Sequence, residues 1–78
     1  MPTALRKGKL RFFFFSRESN EPPHIHVEAG EGYAKYWLSP VSLAASHGFK
    51  AHELNKIGKM VEENVQLFRR SWDEHFKR

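Results

Sequence analysis

Cysteine is absent from this 78-residue chain, which excludes disulfides and thiolate-held metals. The exclusion matters at this size. A domain this short buries only about 60% of its unfolded surface, so small folds often lean on a disulfide, a metal or a second subunit. With disulfides excluded, the lack fits a reducing compartment. No apolar run approaches the roughly 20 residues needed to span a bilayer, and no signal-peptide pattern opens the chain. A cytoplasmic protein with no membrane segment is the expectation. Only five glycines and four prolines are present, and no repeat, low-complexity stretch or long linker appears, so residues 1–78 are expected to form one domain. No phosphate-cradling glycine pattern, no nucleophile beside a base and no carboxylate pair stands out. No cofactor is called for.

What is present is an apolar fraction of 40% with 14% aromatics, enough for a compact core, and a net charge of +4. Lysine and arginine in excess can release counterions from nucleic-acid phosphates. Here they are scattered: Arg6, Lys7, Lys9, Arg11 and Arg17 lie early, and Arg69, Arg70, Lys77 and Arg78 lie late. That distribution also describes a solvated surface with no partner.

Four consecutive phenylalanines in Lys9 to Ser16 suit a strand covered on both sides. Gly8 can turn the chain back from a first short strand, Thr3 to Arg6. Glu18 to Pro23 reads as a loop, because two prolines cannot continue a ladder. His24 to Ala29 alternates cleanly, and Gly30-Glu31-Gly32 signals a hairpin to a return strand, Tyr33 to Leu38. A two-residue loop at Gly30-Glu31 sets Glu28 opposite Tyr33, His26 opposite Lys35, His24 opposite Trp37, Val27 opposite Ala34 and Ile25 opposite Tyr36. One face is then aliphatic and the other holds the polar groups. A one-residue slip would mix the two sets.

Ser39-Pro40 has the signature of a helix start, N-cap followed by the first helical residue, and Gly48 that of its end. A long helix is predicted from about Ala51 to Phe76, with Glu53 in its first turn. Leu54, Ile57, Val61, Val65, Phe68, Trp72 and Phe76 form its apolar stripe, while Lys59, Glu62, Glu63, Gln66 and Asp73 mostly take the other side. The expected fold is α+β: a small antiparallel meander of three to four strands packed on a long C-terminal helix, with a short helix between.

Covering one sheet face with that helix leaves His24, His26 and Glu28 on the other, beside Tyr33, Lys35, Trp37 and two of the four phenylalanines. His24 and His26 sit two residues apart on one face, with Cβ atoms about 6.5–7 Å apart. They can act as acid and base on a phosphodiester, since imidazole titrates near neutral pH. They can hold a metal if Glu28, His47 or His52 adds a ligand. They can also hydrogen-bond a protein partner, or serve only as surface imidazoles. A closed zinc site needs four ligands, so no tightly held metal is expected in the isolated chain. Glu28 and Lys35 can be a plain cross-strand ion pair. His47 would cap the short helix, where imidazolium suits the dipole. His52 and His75 read as surface residues.

Arg11-Phe12-Phe13-Phe14-Phe15-Ser16, Glu21-Pro22-Pro23-His24-Ile25-His26-Val27, Ala34-Lys35-Tyr36-Trp37-Leu38 and Trp72-Asp73-Glu74-His75-Phe76 closely resemble one bacterial family, the domain-of-unknown-function family 4160. Pro2-Thr3, Gly48-Phe49, Glu53-Leu54 and Glu62-Glu63-Asn64 extend the resemblance over nearly the whole chain. The family has been proposed as the toxin half of type II toxin–antitoxin modules. The resemblance therefore implies a cytoplasmic bacterial toxin neutralised by a small antitoxin protein encoded nearby. Some members carry an Asp-His pair before the double proline, where this chain has Ser19-Asn20-Glu21, and Lys50 stands where a Ser or Asn cap is expected.

Two classes of function follow. A toxin acting on RNA would use His24, His26 and Lys35 as catalytic groups, with Arg17, Glu28, Tyr33 and Trp37 binding. A non-enzymatic module would use the aromatic face to bind protein, as antitoxin partner or homodimer. A histidine-ligated metal site is a third reading.

Overall fold

The computed structural model describes residues 3–15 and 20–76. Five strands come first, β1 (Thr3–Lys7), β2 (Leu10–Phe13), β3 (His24–Ala29), β4 (Gly32–Leu38) and β5 (Val41–His47). Two helices follow, α1 (Ala51–Glu63) and α2 (Val65–Phe76). The sheet is a simple antiparallel meander in the order β1-β2-β3-β4-β5. The β3–β4 hairpin has the register that side-chain alternation dictates: Glu28 pairs with Tyr33, His26 with Lys35, and His24 with Trp37. Gly30 takes the left-handed conformation that this turn requires.

The α+β class is as expected, but the strand count is five, not three to four. The predicted short helix between Ser39 and Gly48 is β5. Ser39-Pro40 is the two-residue turn that joins β4 to β5, with a cis peptide bond. Serine before proline marks a turn as readily as a helix start. β5 was hard to see because its alternation is interrupted. Tyr36 pairs with Leu43 and Lys35 with Ala45, which leaves Ala44 as a bulge residue. The strand is an exposed edge apart from half-buried Val41.

The single long helix is also corrected. It breaks at Asn64, whose backbone N–H and side-chain amide both turn back to the Met60 carbonyl, at 3.1 and 2.8 Å. A side chain bonding its own helix four residues back competes with the ladder there. On either side of the break, α1 packs against β4 and β5 and α2 packs against β4. At the start of α1, the Lys50 N–H donates to the Glu53 carboxylate at 2.7 Å. This is the half of a capping box that a lysine cap permits.

The apolar stripe is nonetheless as predicted. Ile57, Val61, Phe68 and Trp72 are buried, and Leu54, Val65 and Phe76 pack on them half-exposed. They meet Phe12, Ile25, Val27, Ala34, Tyr36 and Leu38 from the sheet and Phe14 just after β2. Among the described residues no helix is long and apolar enough to cross a membrane.

Candidate functional site

The face of the hairpin turned away from the aliphatic core carries His24, His26, Lys35, Tyr33 and Trp37, and Phe13 joins it because Phe13 pairs with His26. The expectation that the two imidazoles lie open on a polar surface is corrected: His24 is 0% and His26 2% exposed. Rings account for the burial. Phe13 stacks on His26 at 5.4 Å between centroids, and Phe15 meets it edge-on at 4.5 Å. His24 lies 4.9 Å from the ring of Trp72, which α2 brings round to the start of β3. The two imidazoles touch each other at 4.9 Å, nearly perpendicular.

Burying two imidazoles is costly unless each is hydrogen-bonded. His24 Nδ1 lies 2.9 Å from the Pro22 carbonyl oxygen. A carbonyl can only accept, so Nδ1 donates, and in the neutral ring Nε2 is the basic nitrogen. The double proline aims that carbonyl, since the residue before a proline is held extended. His26 Nδ1 meets the Tyr33 hydroxyl at 2.8 Å, and a hydroxyl can donate or accept. His24, His26 and Tyr33 also make contacts beyond these.

Lys35 reaches Glu21 at 2.8 Å, and the same carboxylate oxygen lies 3.8 Å from His24 Nδ1. Its ammonium also sits 4.6 Å from the centre of the Trp37 ring, within cation–π range. The cross-strand ion pair that Glu28 and Lys35 could have made is not formed. Glu28 pairs instead with Arg11, at 3.2 Å, on the far side of the Phe13 ring that Arg11 covers. With 48% of its side chain exposed, Glu28 stands apart from the imidazoles.

His47 caps no helix. It lies in β5 and stacks on Tyr33 at 5.4 Å, so Phe13, His26, Tyr33 and His47 form one row of rings across four strands. His52 is exposed in the first turn of α1, and His75 is exposed although it stacks loosely on Phe14, at 6.5 Å. Among the described residues no three His, Asp or Glu side chains gather in a way that could hold a metal ion. Arg17, a candidate binding residue, lies outside the described residues.

The structure thus brings together His24, His26, Lys35, Tyr33 and Trp37, leaves Glu28 aside, and adds Glu21, which sequence reasoning did not assign to the site. Its one signal was position, immediately before the double proline that turns the chain onto β3. Chemically, the cluster offers an imidazole with a defined basic nitrogen, a second imidazole tied to a phenol, and a cation held by a carboxylate.

No curated protein and no solved structure matches the chain. The sequence profile of the domain of unknown function DUF4160 matches residues 10–73, from the first residue of β2 to the second half of α2 and so through the whole histidine cluster. The chain belongs to the DUF4160 family.

Proposed function

We propose that this chain is the toxin component of a bacterial type II toxin–antitoxin module, a cytoplasmic protein that cleaves RNA at the histidine cluster and is neutralised by a small partner protein. The observation that carries the reading is the burial of two hydrogen-bonded imidazoles beside a Lys–Glu pair in a chain of 78 residues. Polar groups so placed add little stability compared with apolar ones of the same shape. Their presence in so small a core supports a functional role.

In this reading His24 Nε2 takes the proton of a ribose 2′-hydroxyl, whose oxygen then bonds to the adjacent phosphorus. The bond from phosphorus to the 5′-oxygen breaks, and His26, in its protonated form, gives the leaving oxygen a proton. The products are a 2′,3′-cyclic phosphate and a free 5′-hydroxyl. Lys35 offsets charge on the phosphoryl oxygens, and Glu21 positions it. Substrate entry requires displacement of Phe15, which is 38% exposed and borders His26.

The test is to incubate the purified chain with total RNA in the presence of EDTA and to map the new ends. Cyclic phosphate ends that disappear in the His24→Gln variant are expected. Intact RNA, from a chain whose expression arrests growth, would overturn the nuclease and favour the second reading. That reading is a non-enzymatic interaction module, and the observation that favours it is the packing of His26 among Phe13, Phe15 and Tyr33 as one more ring in a row.

A further inference from the structure

Two grooves flank α1, and they differ in charge. The first, between α1 and β5, has an apolar lining that includes Leu43 and Leu54, with one lysine, Lys59, and one carboxylate, Glu62. The second lies on the other flank of α1, against the β1–β2 and β3–β4 turns, and encloses about 320 Å³. Its floor is Leu10, Phe49, Ile57 and Met60. Leu10, Phe49 and Met60 are only half-buried, so the floor still meets solvent. Lys9, His52 and Lys56 stand on its rim. Neither lysine forms an ion pair among the described residues. The one carboxylate there, Glu53, already accepts the Lys50 N–H.

The floor is preformed. Phe49 packs closely against Gly32, where a Cβ would overlap the ring. The free N–H groups at the start of α1 add to the positive potential of the rim. A half-exposed apolar floor under cations that have no ion pair among the described residues is the complement of a segment that carries apolar and acidic side chains together. A nucleic-acid strand would satisfy the lysines but waste the floor.

We infer that this groove, between α1 and the two turns, binds a short acidic amphipathic segment of a partner protein. The inference rests on the proposed function in that such a toxin has a protein partner, and it adds where and by what chemistry that partner docks. The groove is separate from the histidine cluster and shares no residue with it.

A fluorescein-labelled ten-residue peptide alternating leucine and glutamate is the probe, with fluorescence anisotropy as the readout and its lysine-for-glutamate counterpart as control. The acidic peptide is expected to bind, weakening on the order of tenfold in the Lys9→Glu, Lys56→Glu double variant and falling further with salt. Amide shifts in the NMR spectrum should centre on Leu10, Phe49 and Met60. No binding, equal binding of both peptides, or binding indifferent to the double variant would overturn the inference. So would shifts at these residues with sodium dodecanoate but not with the peptide, since that would make the groove a small-molecule site. Binding is measured without any toxicity, so peptide capture by a chain that leaves RNA and growth untouched would sink the proposed function and spare the groove.

Discussion

The two faces of the β3–β4 hairpin are both well covered, yet by opposite means. On one face Ile25, Val27, Ala34, Tyr36 and Leu38 are sealed by α1 and α2. On the other, His24 and His26 are buried under Phe13 and Tyr33 of the sheet, Phe15 just beyond β2, and Trp72 of α2. The first arrangement needs only apolar matching. The second needs a hydrogen-bond partner for each imidazole, for no gain in stability over a phenylalanine. One face packs apolar side chains under helices, and the other buries hydrogen-bonded imidazoles under rings.

Breaking the helix-covered face should have the largest effect. Phe68→Ala removes a fully buried ring stacked on Phe12 at 5.3 Å. A loss of about 3–5 kcal/mol approaches the whole stability of a small domain, so urea titration should find the variant largely unfolded. Next comes the imidazole face truncated to nothing. The His24→Ala, His26→Ala double variant leaves cavities under the rings of Phe13, Phe15, Tyr33, Trp37 and Trp72, and the midpoint should fall by an amount on the order of 2–4 kcal/mol. Lost toxicity in that variant would confound fold with function.

Tyr36 sharpens the comparison because it is the polar member of the apolar face. Its hydroxyl donates to the Leu54 carbonyl at 2.7 Å, and burial pushes its pKa above the usual 10.0. Below pH 10 the phenol is neutral in both states and the bond is intact. Above it the unfolded chain ionises first, so stability falls as pH rises through the folded value. Tyr36→Phe should cost about 1 kcal/mol at neutral pH and lessen the alkaline decline, both read from urea midpoints across pH 7–11. The smallest effect belongs to the Glu21–Lys35 pair, partly open to solvent. Glu21→Gln should change stability by no more than about 1 kcal/mol while reducing RNA cleavage through a mispositioned Lys35.

Much of this was legible in the residues. The hairpin register followed from the alternation of His24 to Ala29 against Tyr33 to Leu38, because a slip would exchange its two faces. The apolar stripe from Leu54 to Phe76 was legible even though the helix breaks within it, since Asn64 interrupts the ladder without disturbing the face. β5 was not legible: Ala44 bulges out, the strand is too exposed to need an apolar pattern, and Ser39-Pro40 imitates a helix start. Nor was the burial of the imidazoles. Period-two alternation put two of the four phenylalanines beside the imidazoles, as Phe13 and Phe15 are, but it does not give the depth of the burial, and the cover over His24 comes from Trp72, 48 residues further on. Glu21 was not assigned to the site because a loop carboxylate has no spacing rule tying it to a lysine on another strand.

Whether His26 serves through its nitrogen atoms or through its shape decides between the toxin and the interaction module, and His26→Phe separates the two. The ring keeps its place between Phe13 and Tyr33, and the half-buried Tyr33 hydroxyl can turn to water. Stability should stay within about 2 kcal/mol of the parent. Urea midpoints and growth of cells expressing each chain, measured side by side, should show a folded variant that no longer arrests growth. A folded His26→Phe chain as toxic as its parent, or a parent chain with no toxicity at all, would contradict the account.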